Sequence, residues 1–167
     1  MTACYELAQL NIGVIKGPID SPVMAEFVAN LDRINALAER TPGFVWRLQT
    51  EEGNATAIRP YADNENMAVN LSVWKDVDSL RLFVFHTAHV EIMRRRREWF
   101  EKMDEAFLVL WWVPEGHRPG IEEAKARLEI LRRKGPTAEA FTFRQSYPPP
   151  DARQTPPVEF GDECPAA

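Results

Sequence analysis

The amino-acid sequence predicts an α+β domain in which helices pack against one antiparallel sheet. Two observations carry this prediction. Apolar residues recur at helical spacing in two separate segments, and four short segments around them show the apolar runs or alternation that are typical of strands. The resulting order of strand, helix, strand, strand, helix, strand is that of the ferredoxin-like βαββαβ arrangement. A third amphipathic segment and a short apolar one follow, and they predict an extra C-terminal helix and a short closing strand.

The first half of the chain predicts one strand, one helix and a second strand. The stretch YELAQLNIG is apolar and is broken at Gly13, so it predicts the first strand. Ser21 followed by Pro22 predicts the start of a helix, since serine caps helices and proline fits their first turn. Pro42 and Gly43 end that helix, and FVWRLQ predicts the next strand.

The stretch MAVNLSVWK gives the clearest strand pattern in the chain. Its residues alternate between an aliphatic set (Val69, Leu71 and Val73) and an amphipathic set (Asn70, Ser72 and Trp74). Successive side chains of a strand point to opposite faces of the sheet. We therefore expect the aliphatic set to pack against the helices and the amphipathic set to line a cavity or an interface.

The second half of the chain predicts a long helix, a strand and a third helix. Asp76 and Asp78 are candidate caps for a helix that runs toward Met103 with a kink near His86. AFLVLWWVP predicts a strand, GIEEAKARLEILRRKG an amphipathic helix and AEAFTF a short strand. Residues 1–146 are predicted to form the domain. Residues 147–167 hold six of the 13 prolines and are predicted to be a disordered tail.

Composition excludes several classes of function. A net charge of −5 argues against a nucleic-acid-binding domain, which is usually basic. No apolar run is long enough for a membrane-spanning helix, and the N-terminus lacks the layout of a signal peptide. The two cysteines, Cys4 and Cys164, give no disulfide framework and no CxxC motif, so we expect a cytoplasmic protein. Phosphate-binding loops and Ser-His-Asp signatures are also missing.

Seven segments resemble an uncharacterised bacterial family, a domain of unknown function in the dimeric α/β-barrel superfamily, which is related to the antibiotic-biosynthesis monooxygenases. The segments are LAQLN, INALAE, PGFVWRLQ, NLSVW, RRREWF, LWWVPEGHRP and GPTAEAFTF, and they span residues 7–143. The resemblance implies a ferredoxin-like protomer and a homodimer in which two sheets form a barrel. It does not imply a reaction, since relatives in the superfamily include cofactor-free oxygenases, haem-degrading enzymes and non-catalytic binders.

The stretch FHTAHVEIMRRRREWF supplies the candidate catalytic side chains. Helical spacing places His89 on a buried stripe with Leu82, Met93 and Phe100. Arg96 flanks this stripe and lies nearly above His89. An imidazole and a guanidinium beside an apolar wall suit an anionic ligand. The alternative is that Arg96 and its neighbour Arg97 pair with nearby acids or with carbonyls at the sheet edge.

We therefore expect a small-molecule enzyme of the monooxygenase-like type, acting on a small organic, aromatic or anionic substrate. His89, Arg96 and Asn70 are the predicted catalytic residues. The predicted substrate-binding residues are Ser72, Trp74, Trp46 and Trp112. No metal and no cofactor is predicted, and the expected partners are a second copy of the chain and a small organic ligand, with no nucleic acid or membrane. The alternatives are a non-catalytic ligand-binding or structural homodimer, and a haem protein that uses His89.

Overall fold

The computed structural model describes residues 4–51, 53–152 and 158–159. Four strands form one antiparallel sheet: β1 (Tyr5–Val14), β2 (Phe44–Arg47), β3 (Met67–Trp74) and β4 (Leu108–Pro114). Their spatial order is β2-β3-β1-β4, with β1 paired to both β3 and β4. The helix α1 (Ala25–Arg40) joins β1 to β2, and a helical segment joins β3 to β4. This is the ferredoxin-like topology, so the predicted fold class of the protomer is confirmed.

The helical segment between β3 and β4 is broken into three parts. These are α2 (Val77–His86), α3 (His89–Arg94) and α4 (Arg96–Trp99). The predicted kink near His86 is a full break, because Thr87 is extended (φ −123°, ψ −178°) and its hydroxyl donates to the carbonyl of Phe83. Asp76 caps α2 as predicted, since its carboxylate accepts from the backbone N–H of Ser79 at 2.8 Å.

Both faces of the sheet are covered, but not by the expected partners. The aliphatic face, with Leu71 at its centre, packs against the helix α5 (Ile121–Lys134) and against apolar side chains of the segment 48–66. The amphipathic face, which carries Trp74, meets α1 and α2. The expectation that the aliphatic set faces the first two helices was therefore wrong. Alternation shows which residues share a face of the sheet but not which helix covers it. The buried residues of α5 pack against the aliphatic face.

The predicted buried stripe of the second helix also needs one correction. Leu82 was placed on this stripe, yet it is 41% exposed, while Leu80 and Phe83 are the buried positions of α2. The break after His86 explains the difference, because helical spacing cannot be carried across an extended residue. Among the described residues, no helix is both long and apolar enough to cross a membrane.

The chain after α5 returns to the sheet. Phe141 bridges Leu110 of β4, and Tyr147 accepts a hydrogen bond at its carbonyl from Trp112 Nε1 at 2.8 Å. A two-residue strand β5 (Gln145–Ser146) pairs with β6 (Val158–Glu159). The division into a domain and a disordered tail at residue 147 stays a prediction. Most of the predicted tail beyond residue 152 lies outside the described residues.

Candidate active site

A cavity of about 610 Å³ lies between the amphipathic face of the sheet and the helices α1 to α4. The strands supply a polar floor of amide and hydroxyl side chains. The helices supply an apolar wall that includes Phe27, Leu31 and Phe83, together with the imidazole of His89. An apolar pocket with a few convergent polar groups is the usual form of a small-molecule site.

Gln9, Asn70 and Ser72 form a hydrogen-bonded cluster on the cavity floor. Strand pairing sets Gln9 directly opposite Ser72, and all three side chains point to the same face. Gln9 Nε2 lies 2.9 Å from Asn70 Oδ1, 3.2 Å from Ser72 Oγ and 3.3 Å from the backbone carbonyl of Asn70. A backbone carbonyl can only accept, so the amide nitrogen of Gln9 must face it. Asn70 then presents its Oδ1 to Gln9 and turns its NH₂ group away.

The floor consequently offers hydrogen-bond donors to a ligand. Ser72 Oγ accepts from both Gln9 Nε2 and Trp74 Nε1, the latter at 2.9 Å, so its own O–H remains free to donate. Asn70 is exposed to the cavity, and its NH₂ group has no acceptor within the part of the chain that the structure describes. Donors held in place by a rigid sheet can stabilise negative charge on a substrate.

His89 lines the same cavity in its neutral form. Its Nδ1 lies 3.3 Å from the backbone carbonyl of Val84, which can only accept, so Nδ1 carries the proton. Burial lowers the pKa of His89 below its ordinary value of 6.5, and the hydrogen bond to Val84 opposes this shift. At neutral pH the ring therefore keeps Nε2 unprotonated, and this nitrogen can accept a proton.

A column of aromatic rings connects His89 to the cavity floor. The ring of Phe83 lies 4.6 Å from the imidazole and stacks on Trp74, with centroids 5.3 Å apart and planes at 22°. Phe44 also contacts Trp74, edge-on, with the ring centroids 5.3 Å apart. Because Trp74 also binds Ser72, the position of the imidazole is tied to the polar floor through two stacked rings.

Arg96 brings a positive charge to the cavity, and no carboxylate of the described residues pairs with it. Its guanidinium lies over the rings of Phe100 and Phe107, at 4.8 and 4.5 Å from their centroids, and donates to the carbonyl of Ile12 at 3.3 Å. Burial lowers the pKa of Arg96. The bond to Ile12 is the contact expected under the alternative interpretation, in which Arg96 pairs with a sheet carbonyl, while the role of Arg96 toward an anionic ligand stays a prediction. The neighbouring Arg95 instead forms the ion pairs, with Glu26 and Glu98.

Five of the seven predicted site residues line this one cavity: His89, Arg96, Asn70, Ser72 and Trp74. Trp46 does not, because an irregularity between Phe44 and Trp46 sends its ring to the aliphatic face. Trp112 is on the correct face, but Tyr147 and the adjoining segment cover it. Neither Trp46 nor Trp112 lines this cavity, and their roles in substrate binding stay predictions.

Sequence reasoning missed Gln9, Phe83 and Gly13. A signal was present for Gln9, since an amide between the apolar residues Ala8 and Leu10 of a strand requires a hydrogen-bond partner when it is buried. Phe83 reads as an ordinary core residue until its two ring partners are known. Gly13 lines the cavity, and a β-carbon there would lie 2.6 Å from Phe100 Cδ1, which no sequence pattern reveals.

The described residues contain no group of three or more His, Cys, Asp or Glu side chains that could hold a metal ion. The histidines do not converge. His117 is instead paired with Glu123, whose other oxygen accepts from Trp111 Nε1, outside the cavity.

Comparison with protein families identifies the chain. A domain of unknown function, DUF3291, matches residues 6–157, so the chain belongs to that family and the predicted family is confirmed. No curated protein matches the sequence.

Two solved structures illustrate what the fold is similar to. SnoaB, a cofactor-independent oxygenase from Streptomyces nogalater, is 21% identical with a TM-score of 0.42, over 69% of this chain and 95% of its own. A protein of unknown function from Nitrosomonas europaea is 12% identical with a TM-score of 0.43, over 71% of this chain and 96% of its own. At such identities and TM-scores, neither likeness carries an argument about function.

Proposed function

We propose that this member of the DUF3291 family is a small-molecule enzyme that removes a proton from a carbon acid bound in the cavity. The observation that supports this most directly is the joint placement of a neutral imidazole and several hydrogen-bond donors on one cavity. A base alone forms an unstable carbanion. Donors placed beside it stabilise the enolate that results.

The residues take distinct roles in this proposal. His89 Nε2 accepts the proton, and the Nδ1–H bond to Val84 holds the ring in the tautomer that leaves Nε2 basic. The NH₂ group of Asn70 stabilises the enolate oxygen, and the guanidinium of Arg96 supplies a positive charge that attracts an anionic substrate. Trp74 and Phe83 contact a flat substrate and exclude water from the developing charge.

The reaction class that we favour is cofactor-free oxygenation of an activated CH₂ group. Once the enolate has formed, dioxygen can react with its carbon directly. One oxygen atom becomes the new carbonyl and the other leaves as water, which balances the loss of two hydrogens from carbon. No group beyond the substrate, dioxygen and the side chains named above is needed.

Deuterium exchange at carbon tests this proposal before the natural substrate is known. A panel of aromatic carbon acids, such as 2-tetralone, is incubated with the protein in D₂O, and loss of the C–H signal is followed by NMR. We expect faster exchange of at least one compound with the wild type and with His86→Gln, because His86 does not line the cavity. His89→Gln should lose the acceleration. Undiminished exchange in His89→Gln would refute the role of this base.

A haem-binding protein is the second candidate, and the tautomer of His89 favours it. An axial histidine ligates iron through one nitrogen while the other donates to a carbonyl or a carboxylate, which is the arrangement of His89 with Val84. If haem binds, His89 would hold it and the apolar wall would enclose it. A haem absorbance band that appears on titration with hemin and is lost in His89→Gln, but not in His86→Gln, would favour this candidate.

Assembly as a homodimer stays a proposal. The helix α5 and the segment 48–66 cover the aliphatic face of the sheet. Two sheets can therefore meet through that face only if these elements are displaced. Native mass spectrometry distinguishes a dimer from a monomer and, in the same spectrum, detects a retained small molecule.

A further inference from the structure

We infer that the Arg96 guanidinium binds a carboxylate of the substrate through two parallel N–H bonds, an arrangement that we call the carboxylate fork. Gly13 positions the guanidinium for this contact. This inference rests on the proposed function and deepens it by naming the class of ligand: a flat organic acid. Three features of Arg96 support it: the guanidinium lies over two aromatic rings, no carboxylate of the described residues pairs with it, and its side chain closely approaches Gly13 of β1.

The two aromatic rings and the carbonyl of Ile12 limit the directions from which a ligand can reach Arg96. The guanidinium lies within 5 Å of the centroids of two rings, Phe100 and Phe107, and one terminal nitrogen donates to Ile12. The N–H groups of a guanidinium lie in its plane, so it offers hydrogen-bond donors only along its edges. Two parallel N–H bonds from one edge match the two coplanar oxygens of a carboxylate.

The missing counter-ion indicates that the ligand supplies the negative charge. Only Asp20 and Glu65 bring carboxylates to the cavity lining, and neither forms an ion pair among the described residues. The other arginines of the lining differ from Arg96: Arg47 is already paired with Glu39 at 2.8 Å, and Arg59 is exposed and donates to the carbonyl of Thr56. A partly desolvated cation that lacks an anion gains more from an incoming carboxylate than a surface arginine does, because less water competes for it.

Gly13 lets the arginine reach this position. A β-carbon built on Gly13 would lie 2.6 and 2.9 Å from ring carbons of Phe100 and 3.0 Å from Arg96 Nη2. The two separations from Phe100 are shorter than a real β-carbon tolerates and the one from Arg96 is tight, so the ring that lies against the guanidinium would have to move. Gly13 therefore acts as a positioning residue for the carboxylate fork.

The test compares two ligands of one shape, 2-naphthoate and its neutral amide 2-naphthamide, by calorimetric titration of the full chain. We expect the wild type to bind the acid at least about tenfold more tightly than the amide, as charge-assisted bidentate bonds predict. Arg96→Met should abolish the preference. Arg96→Lys should keep only part of it, because an ammonium has charge but no planar fork.

Gly13→Ala tests the positioning role. It should weaken binding of the acid more than binding of the amide. The matched control is Gly120→Ala, because a β-carbon there meets no atom within 4 Å and the backbone φ of −88° suits alanine. This control should leave the preference unchanged.

The possible results separate this inference from the proposed function. Equal affinity of the wild type for acid and amide would overturn the carboxylate fork while the cavity remains a ligand site. A preference that survives Arg96→Met would also overturn it. Failure of both ligands to bind would overturn the fork and count against the cavity as a site for flat organic molecules.

Discussion

Replacing Ser72 with alanine tests whether the floor of the cavity is held by one hydroxyl. Ser72 is 5% exposed and accepts from the indole of Trp74 at 2.9 Å and from Gln9 at 3.2 Å. Without this oxygen, Trp74 Nε1 loses its only acceptor among the described residues, while Gln9 keeps both of its bonds to Asn70. A buried donor without a partner costs about 1–3 kcal/mol.

The expected loss of stability is therefore about 1–3 kcal/mol, with little added cost from the lost volume of a single oxygen atom. For a chain of this size each kcal/mol lowers the melting temperature by about 2–4 °C, which calorimetry resolves. A double-mutant cycle with Trp74→Phe isolates the cause, because phenylalanine removes the N–H that needs an acceptor. Ser72→Ala should cost clearly less in the Trp74→Phe background. An equal cost in both backgrounds would refute the reasoning.

Three further predictions concern pH, packing and the excluded tryptophan. Because folding lowers the pKa of His89, the unfolded chain binds more protons than the folded one just below pH 6.5. The free energy of unfolding should therefore fall as the pH drops through this window. Chemical denaturation at several pH values should show a smaller fall for His89→Gln than for the wild type. Leu128 of α5 is fully buried against the aliphatic face. Leu128→Ala should therefore lower the free energy of unfolding in urea by about 2–5 kcal/mol. A loss below about 1 kcal/mol would mean that α5 is not firmly packed there. Trp46→Phe should leave the affinity for 2-naphthoate unchanged whereas Trp74→Phe alters it, and the opposite result would contradict the assignment of faces.

The sequence predicted the order of strands and helices because each element carries its own local signal. Alternation in MAVNLSVW correctly grouped Asn70, Ser72 and Trp74 on one face, and the strand register confirms the grouping. Which helices cover each face is determined by tertiary packing, not by the local pattern of a strand. The aliphatic face could take either the first two helices or α5, and local pattern does not choose between them.

The candidate site was predicted in part. His89 and Arg96 reach one cavity as their seven-residue spacing indicated, although the helix is interrupted between them at Arg95. Trp46 lies on the aliphatic face because an irregularity in β2 shifts the register, and no residue type marks that position. Gly13 was missed as a site residue because its importance depends on how closely Arg96 and Phe100 approach, which only the folded chain shows.

The state of the His89 ring tests the central claim most directly. Two-dimensional ¹H–¹⁵N correlation spectra of the imidazole, recorded from pH 5 to 8, report both the tautomer and the pKa. We expect a proton on Nδ1, an unprotonated Nε2 at pH 7 and a pKa below 6.5, as the bond to Val84 and the burial of the ring require. A ring that is protonated on Nε2, or that titrates above 6.5, would contradict the account, because the first places the proton on the nitrogen proposed as the base and the second shows that burial does not favour the neutral ring.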